Sequence, residues 1–463
     1  MPARGAQTPL TEPRPEGPAH DAMPMTDPAA AIHTFLDRIA ARRLETADNK
    51  PLRLLVAISG GSDSTGLLLL LHRTLASCSD TQISLQAATI DHALRPGSAE
   101  EAQGVADLCA HLGIAHMTRR WDGDKPATGL AARARAARYR LLAEIAEETG
   151  CTAILTGHTA DDQAETIAMR AARARPDPET GSHQSAPGLS GMAQNVLYEN
   201  RVWIYRPLLA SRRQAIRDCL RAQGQDWIDD PSNDNPAYER ARVRADLARR
   251  SSGDTLPQAG RIDRLELSRQ AADLLSRHAT MPVPGLFHLD TALFEAEGAA
   301  LRHGLHALVA TVGGQPHGPE SAALERLLQL GRQPPGARLT LGRCLAHRHR
   351  SGVFLVREAR ALPHLLINPS ETAIWDGRWR VTNTGKAIAE VCPAAPEQPL
   401  QTAETLPASL AVLALMSEPM KAPNLEVEPV IAPYQGFLPG FDLPLAQALA
   451  DLFRARRFLS PCF

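Results

Sequence analysis

The chain is predicted to be α/β, with a doubly wound, mostly parallel sheet. Two observations carry that prediction. Short apolar segments alternate with longer helix-compatible segments over the first third of the chain beyond residue 50. Three of the apolar segments are each followed at once by a polar cluster, at residues 59–64, 91–95 and 157–166. Alternating strands and helices make βαβ units, and these place ligands at the carboxyl ends of the strands. Three polar clusters in that one position predict one site at the edge of the sheet.

The first cluster is the most specific. Leu52 to Ile58 is a buried-type strand, and Thr65 to Leu75 is Leu-rich, free of Pro and helix-compatible. Leu67 to Leu71 is apolar on every side and is expected to be buried. Ser59-Gly60-Gly61-Ser62-Asp63-Ser64 therefore forms the strand-to-helix turn. Two glycines permit positive φ and close approach of a ligand. The helix N-terminus offers N–H groups and a positive dipole end to a phosphate. Ser59, Ser62 and Ser64 add hydroxyls, and Asp63 adds a carboxylate suited to Mg²⁺ beside phosphates. No Gly-Lys-Ser/Thr follows, so the turn is not a Walker loop.

The other elements follow in order. Residues 1 to about 28 carry seven prolines and no apolar core, so they read as a disordered tail and not a signal peptide. Ala29 to Glu45 has apolar residues at helical spacing. Gln82 to Ile90 is a second strand, ending at Asp91-His92-Ala93-Leu94-Arg95. Glu100 to Leu112 is a helix closed by Gly113, and Ile114 to Trp121 is a third strand. Leu130 to Thr149 is a long helix closed by Gly150. Thr152 to Thr156 is a fourth strand, and it runs into His158-Thr159-Ala160-Asp161-Asp162-Gln163-Ala164-Glu165-Thr166. Three carboxylates and a histidine at a helix start suit Mg²⁺ binding and proton transfer. Residues 173–187 read as a flexible loop. Val202 to Tyr205 is a strand ended by Arg206-Pro207-Leu208-Leu209, and Ser211 is expected to cap the next helix. Beyond it, Asn233, Tyr238, Arg240, Arg242 and Arg244 interleave Arg with an aromatic, as phosphate and base contacts require.

Composition bounds the rest. At 463 residues the chain exceeds one ordinary core, so two or three domains are expected. The formal net charge is −1, so any RNA contact must come from local patches. The seven cysteines show no Cys-x-x-Cys and no zinc spacing, which suits a reducing cytoplasm. No apolar run reaches the length of a membrane span.

The Ser-Gly-Gly-x-Asp-Ser turn resembles the PP-loop of the N-type ATP pyrophosphatases, which cleave ATP between its α and β phosphates and adenylate a substrate. Taken with Asp-His-x-Leu-Arg, His-x-x-Asp-Asp-Gln-x-Glu-Thr, Arg-Pro-Leu-Leu and Asp-Pro-Ser-Asn…Tyr-x-Arg…Arg, the set resembles the tRNA(Ile)-lysidine synthetases. The likeness covers roughly residues 50 to 247, about two-fifths of the chain. Two departures stand out: an insertion from about Pro176 to Pro187, and Ala241 where the family usually has Asn.

The resemblance implies an ATP- and Mg²⁺-dependent ligase that joins L-lysine to the wobble cytidine of a CAU-anticodon isoleucine tRNA. It implies ATP contacts by Ser59 to Ser64, Asp91, His92 and His158, and Mg²⁺ on Asp63, Asp161 and Asp162. Catalytic carboxylates would be Asp63, Asp161, Asp162 and Glu165. Contacts to tRNA would come from Arg135, Arg138, Asn233, Tyr238, Arg240 and Arg244. Longer members of the family suggest four regions: a tail to 28, a PP-loop domain over 29–247, a helical tRNA-binding domain over 248–350, and a small mixed domain over 351–463. A homodimer is the family's habit. The alternative is another PP-loop tRNA enzyme, such as a thiolase, although the paired Cys those commonly need is missing from the sequence.

Overall fold

The computed structural model describes residues 26–46, 50–77, 82–123, 125–126, 128–173, 191–229, 239–250, 263–395 and 406–463. The expected N-terminal tail to residue 25, the 176–187 insertion, Asn233 and Tyr238 lie outside the described residues. Pro28, placed in that tail by sequence, is instead the first residue of helix α1 (Pro28–Thr46). A ring locked near helical φ, without an N–H to satisfy, suits that position.

The alternating segments form β1 (Leu52–Ala57), α2 (Ser62–Ser77), β2 (Ile83–Asp91), α3 (Ser98–His111), β3 (Ala115–Arg120), α4 (Leu130–Glu148), β4 (Ala153–Thr156) and α5 (Ala160–Arg173). They continue as β5 (Asn195–Tyr198), β6 (Val202–Tyr205), α6 (Arg213–Arg221) and α7 (Glu239–Arg250). Strands β6, β4, β1, β2 and β3 lie side by side, all parallel. β5 joins β6 as a hairpin, with Glu199 and Asn200 at φ of 47° and 54°. Two positive φ values make the turn whose twist matches the strands it joins.

β1 lies between β2 and β4, so the chain winds outward in both directions from it. That reversal is the switch point of a doubly wound sheet, and a crevice opens there at the carboxyl ends of β1 and β4. The sheet is buried on both faces. Leu67, Leu68, Ile216 and Leu220 of α2 and α6 cover one side with Leu54 and Val56. Leu142, Ile145 and Tyr139 of α4 cover the other with Leu55 and Ile204.

The second half departs from the expected division. Helices α8 (Arg264–His278), α9 (Ala299–Gly313) and α10 (Ser321–Arg332) are present, but they accompany an antiparallel sheet. That sheet runs β7 (Ala279–Val283), β8 (Leu286–Asp290), β11 (Gly352–Arg357), β10 (Cys344–His349), β9 (Arg338–Leu341). The 350/351 boundary therefore cuts the β10–β11 hairpin, whose Arg348↔Val353 and His349↔Gly352 pairs flank it. Pairing of distant strands, which no local pattern reveals, is the reason.

The smaller strands Thr372–Trp375, Trp379–Asn383 and Leu425–Pro429 form a separate sheet. The end of the chain then returns to the first sheet. Phe437–Pro439 pairs antiparallel with β5. Phe463 stacks on Tyr205 at 4.3 Å between ring centroids, and Trp203 Nε1 donates to Leu459 O at 3.2 Å. No helix among the described residues is long and apolar enough to cross a membrane.

Candidate functional site

The Ser59–Ser64 turn is built from its own serines. Ser64 Oγ accepts the Ser59 N–H at 3.1 Å and donates to Gly61 O at 3.1 Å. Gly60 takes φ of +82°, and its lack of a Cβ leaves room for the Ile228 side chain, whose Cδ1 would lie 2.5 Å from one. Gly157, at the end of β4, lies so close to the first turn of α2 that a Cβ there would sit 2.6 Å from Asp63 O. Both glycines are thus dictated by close approach of chain to chain. They fix the N–H groups at the start of α2 toward the crevice, where a helix N-terminus attracts phosphate.

The β4 cluster divides by role. Asp162 Oδ2 accepts from both the N–H and the Oγ of Thr159, each at 2.9 Å, so it caps α5 and is held rigidly. Asp161 turns away from it. Its Oδ2 accepts the Arg213 N–H at 2.8 Å, the first N–H of α6. The expected cap of that helix, Ser211, does not serve. Its Oγ is buried without a partner, and the N-cap is Arg212, with no side-chain cap bond. A carboxylate from another helix neutralises the dipole end better than a hydroxyl. Gln163 Nε2 donates to Met192 O at 2.9 Å, so this residue of the cluster anchors the chain entering β5. His158 Nδ1 donates to Thr156 Oγ, which itself donates to Tyr205 O, so Nε2 is left as the acceptor.

At the end of β2, Asp91 Oδ1 accepts the Ala93 N–H at 2.8 Å and shapes the turn. His92 packs edge-on against Trp121, and its buried Nδ1 has no partner among the described residues.

Three arginines close the crevice. Arg213 reaches three carboxylates at once: Nε lies 2.8 Å from Asp63 Oδ2, Nη2 lies 3.4 Å from Asp162 Oδ1, and Nη1 lies 3.7 Å from Glu165 Oε1. Arg240 Nε donates to Glu165 Oε2 at 2.8 Å, and its Nη2 donates to Asp162 Oδ1 at 3.3 Å. Arg244 Nε donates to Glu165 Oε1 at 2.7 Å. Glu165 is only 2% exposed, and both its oxygens accept from arginine. The cluster is balanced, three carboxylates against three guanidinium groups.

Elsewhere in the crevice, Arg135 lies over Tyr139, 4.8 Å from its ring centroid, and 6.0 Å from Phe437. Arg138 adds its charge beside His92 and His158.

The electrostatics follow from burial and these cations. Burial pushes the Asp63 carboxyl up, and the opposing pull of Arg213 does not fully offset it. Burial also raises Asp162, but Arg213 first, with the Thr159 N–H bond and Arg240, outweighs it, and the group falls below the ordinary value. His158 is held well below the usual histidine range by burial first and Arg206 second, so it is neutral at pH 7.

Sequence reasoning missed Arg213, Arg217 and Ile228. Arg217 Nε donates to Ser62 Oγ at 3.3 Å, and the Ile228 N–H donates to Gly60 O at 2.9 Å. One signal for Arg213 was present. Two arginines at a helix start oppose the dipole, which implies carboxylate partners elsewhere.

Among the described residues, no three His, Cys, Asp or Glu side chains are grouped as a metal cage. Mg²⁺ rarely needs one. It takes one or two carboxylates and completes its shell with phosphate oxygens and water. Asp63 and Asp162 fit that demand, since both already face one shared cation, the Arg213 guanidinium. Asp161 does not join them.

Residues 36–251 match a family model described as PP-loop domain. With the β1 turn and the switch-point crevice, this defines an ATP-using domain of the PP-loop class. A tRNA(Ile)-lysidine synthase of Rhizobium meliloti is 40% identical over 93% of this chain and 97% of its own. One from Mesorhizobium japonicum is 44% identical over 86% of this chain and 92% of its own. The chain belongs to the tRNA(Ile)-lysidine synthase family.

Proposed function

We propose that the protein is an ATP-dependent ligase that joins L-lysine to the wobble cytidine of the isoleucine tRNA with a CAU anticodon. The observation that carries this reading is the meeting, in one crevice, of a phosphate turn and the Asp63/Asp162/Glu165 carboxylates with the arginines of α7.

The 2-carbonyl oxygen of cytosine is a poor leaving group. Its attack on the α-phosphorus of ATP forms an oxygen–phosphorus bond and releases pyrophosphate against the N–H groups at the start of α2. The lysine ε-nitrogen then bonds to C2, and AMP leaves with the oxygen. Asp63 and Asp162 would hold Mg²⁺, which supplies charge neutralisation at the phosphates. His92 and His158, both neutral, line the nucleotide side. Arg135, Arg138, Arg240 and Arg244 meet tRNA phosphates, and the target base is splayed from its loop.

The ε-amine has an ordinary pKa near 10.4, so at pH 7 deprotonation costs about 4.6 kcal/mol. One of Asp161, Asp162 and Glu165 takes that proton. Each is engaged in the described state, so the cluster must open first. Phosphate charge arriving at Arg240 and Arg244 would draw them from Glu165. The family's homodimer remains part of this reading.

The test supplies Mg-ATP, radiolabelled lysine and an unmodified CAU isoleucine tRNA transcript, with elongator methionine tRNA as control. Label entering only the isoleucine tRNA, and lost in Asp63→Ala, supports the reading. AMP formation without lysine transfer would point to another nucleophile. Sulfur entering the tRNA when a sulfur donor replaces lysine in the same assay would favour the thiolase alternative.

A further inference from the structure

We infer that Arg213 is the resting counter-ion of the metal site, a positioning residue that yields Asp63 and Asp162 to Mg²⁺ when nucleotide binds. The inference rests on the ligase reading for its metal and nucleotide, but not for its geometry.

The geometry is that of a bridging cation. Each of the three guanidinium nitrogens faces a different carboxylate, on Asp63 of α2 and on Asp162 and Glu165 of α5. Arg213 is only 17% exposed. The neighbouring helix α5 holds it there, because its Asp161 accepts the Arg213 backbone N–H. Without it, two carboxylates would face each other across a low-dielectric crevice, a costly arrangement. The phosphate turn would then be held only in the presence of metal.

A divalent ion held by Asp63 and Asp162 would sit within a few ångström of the Arg213 guanidinium, and the two cations repel. That repulsion favours the departure of one of them. Arg213 lies next to the start of α2, and the phosphates of ATP bring the negative charge that its guanidinium then takes. The carboxylates thus stay paired in both states, by arginine without nucleotide and by metal with it. Free Mg²⁺ binds weakly in the first state, and this couples metal entry to nucleotide entry.

The experiment titrates Mn²⁺ into nucleotide-free protein and follows it by electron paramagnetic resonance. Wild type is compared with Arg213→Gln and Arg213→Lys, with folding checked by circular dichroism. Arg213→Gln is expected to bind Mn²⁺ at least about tenfold more tightly, because a competing charge some 3 Å away is gone. Its melting temperature is expected to fall in chelator and to recover with Mg²⁺, which a purely structural role would not produce. Arg213→Lys reaches one carboxylate but cannot bridge three, and it is expected to fall between. Should Arg213→Gln fail to fold without metal, Arg213→Lys carries the test. Mn²⁺ affinity equal to wild type in a folded variant would overturn the inference. Because no tRNA or lysine is present, that failure is separate from a failure of lysine transfer.

Discussion

The Ile228 N–H donates to Gly60 O at 2.9 Å, and the Ile228 Cδ1 would lie 2.5 Å from any Cβ added at Gly60. The segment after α6 is thus seated on the phosphate turn, through a space that only glycine leaves open. Gly60→Ala is expected to cost about 1–2 kcal/mol for its left-handed backbone, with the Ile228 contact in addition. Ile228→Ala in the same chain should relieve the contact alone. Gly157→Ala meets the backbone of Asp63, which has no rotamer to yield, and should cost more. Thermal melts with and without ATP measure all three, and a Gly157→Ala milder than Gly60→Ala would refute the ordering.

Glu165 ties α7 to α5 through Arg240 and Arg244. Both arginines are partly exposed, so each pair is worth on the order of 1 kcal/mol or less. Glu165→Gln keeps the shape and removes the charge. Amide hydrogens of α7 should exchange several-fold faster in this variant, while those of α2 stay unchanged. Equal protection of α7 would show that it is held by other contacts.

Stability should fall on mild acidification. His92, His116, His158 and His306 are all held below the ordinary histidine value of 6.5, with burial the first cause in each. Near and below that pH the unfolded chain binds protons that the folded chain refuses. The contribution is therefore fully present above about pH 6.5 and is lost as pH falls, at up to about 1.4 kcal/mol per pH unit for each ring. His116 is on β3, and its Nε2 meets Thr89 Oγ at 2.9 Å. Melts of His116→Gln between about pH 7.5 and 5.5 should show a shallower slope than wild type.

Phe437 packs against Tyr139 and Tyr198, each at 5.1 Å between ring centroids, and forms part of the seat of Arg135. Phe437→Ala should cost about 2–3 kcal/mol, less than a fully buried Phe because the ring is half-exposed. The affinity for tRNA should drop with it while that for ATP holds. Unchanged tRNA affinity, by filter binding, would remove Arg135 from the RNA surface.

Much was legible in the sequence because it is local. A strand, two glycines and a helix start define the phosphate turn within about a dozen residues. Apolar segments of strand length alternating with helices define a parallel sheet, and Leu67 to Leu71 are indeed buried. Arg240 and Arg244 were legible as site residues, but Arg213, which closes the site beside them, was not, because its partners lie far along the chain. Arg213 meets Asp63 across 150 positions. Phe437 to Pro439 completes the first sheet from the other end of the molecule, and β11 pairs with β8 across some sixty residues. Propensity and periodicity act over one or two turns of chain. Which carboxylate faces metal, which caps a helix and which holds an arginine depends on contacts that exist only once distant segments have packed. Asp161 and Asp162 are adjacent in sequence, yet they point to different helices, and only the tertiary structure separates their roles.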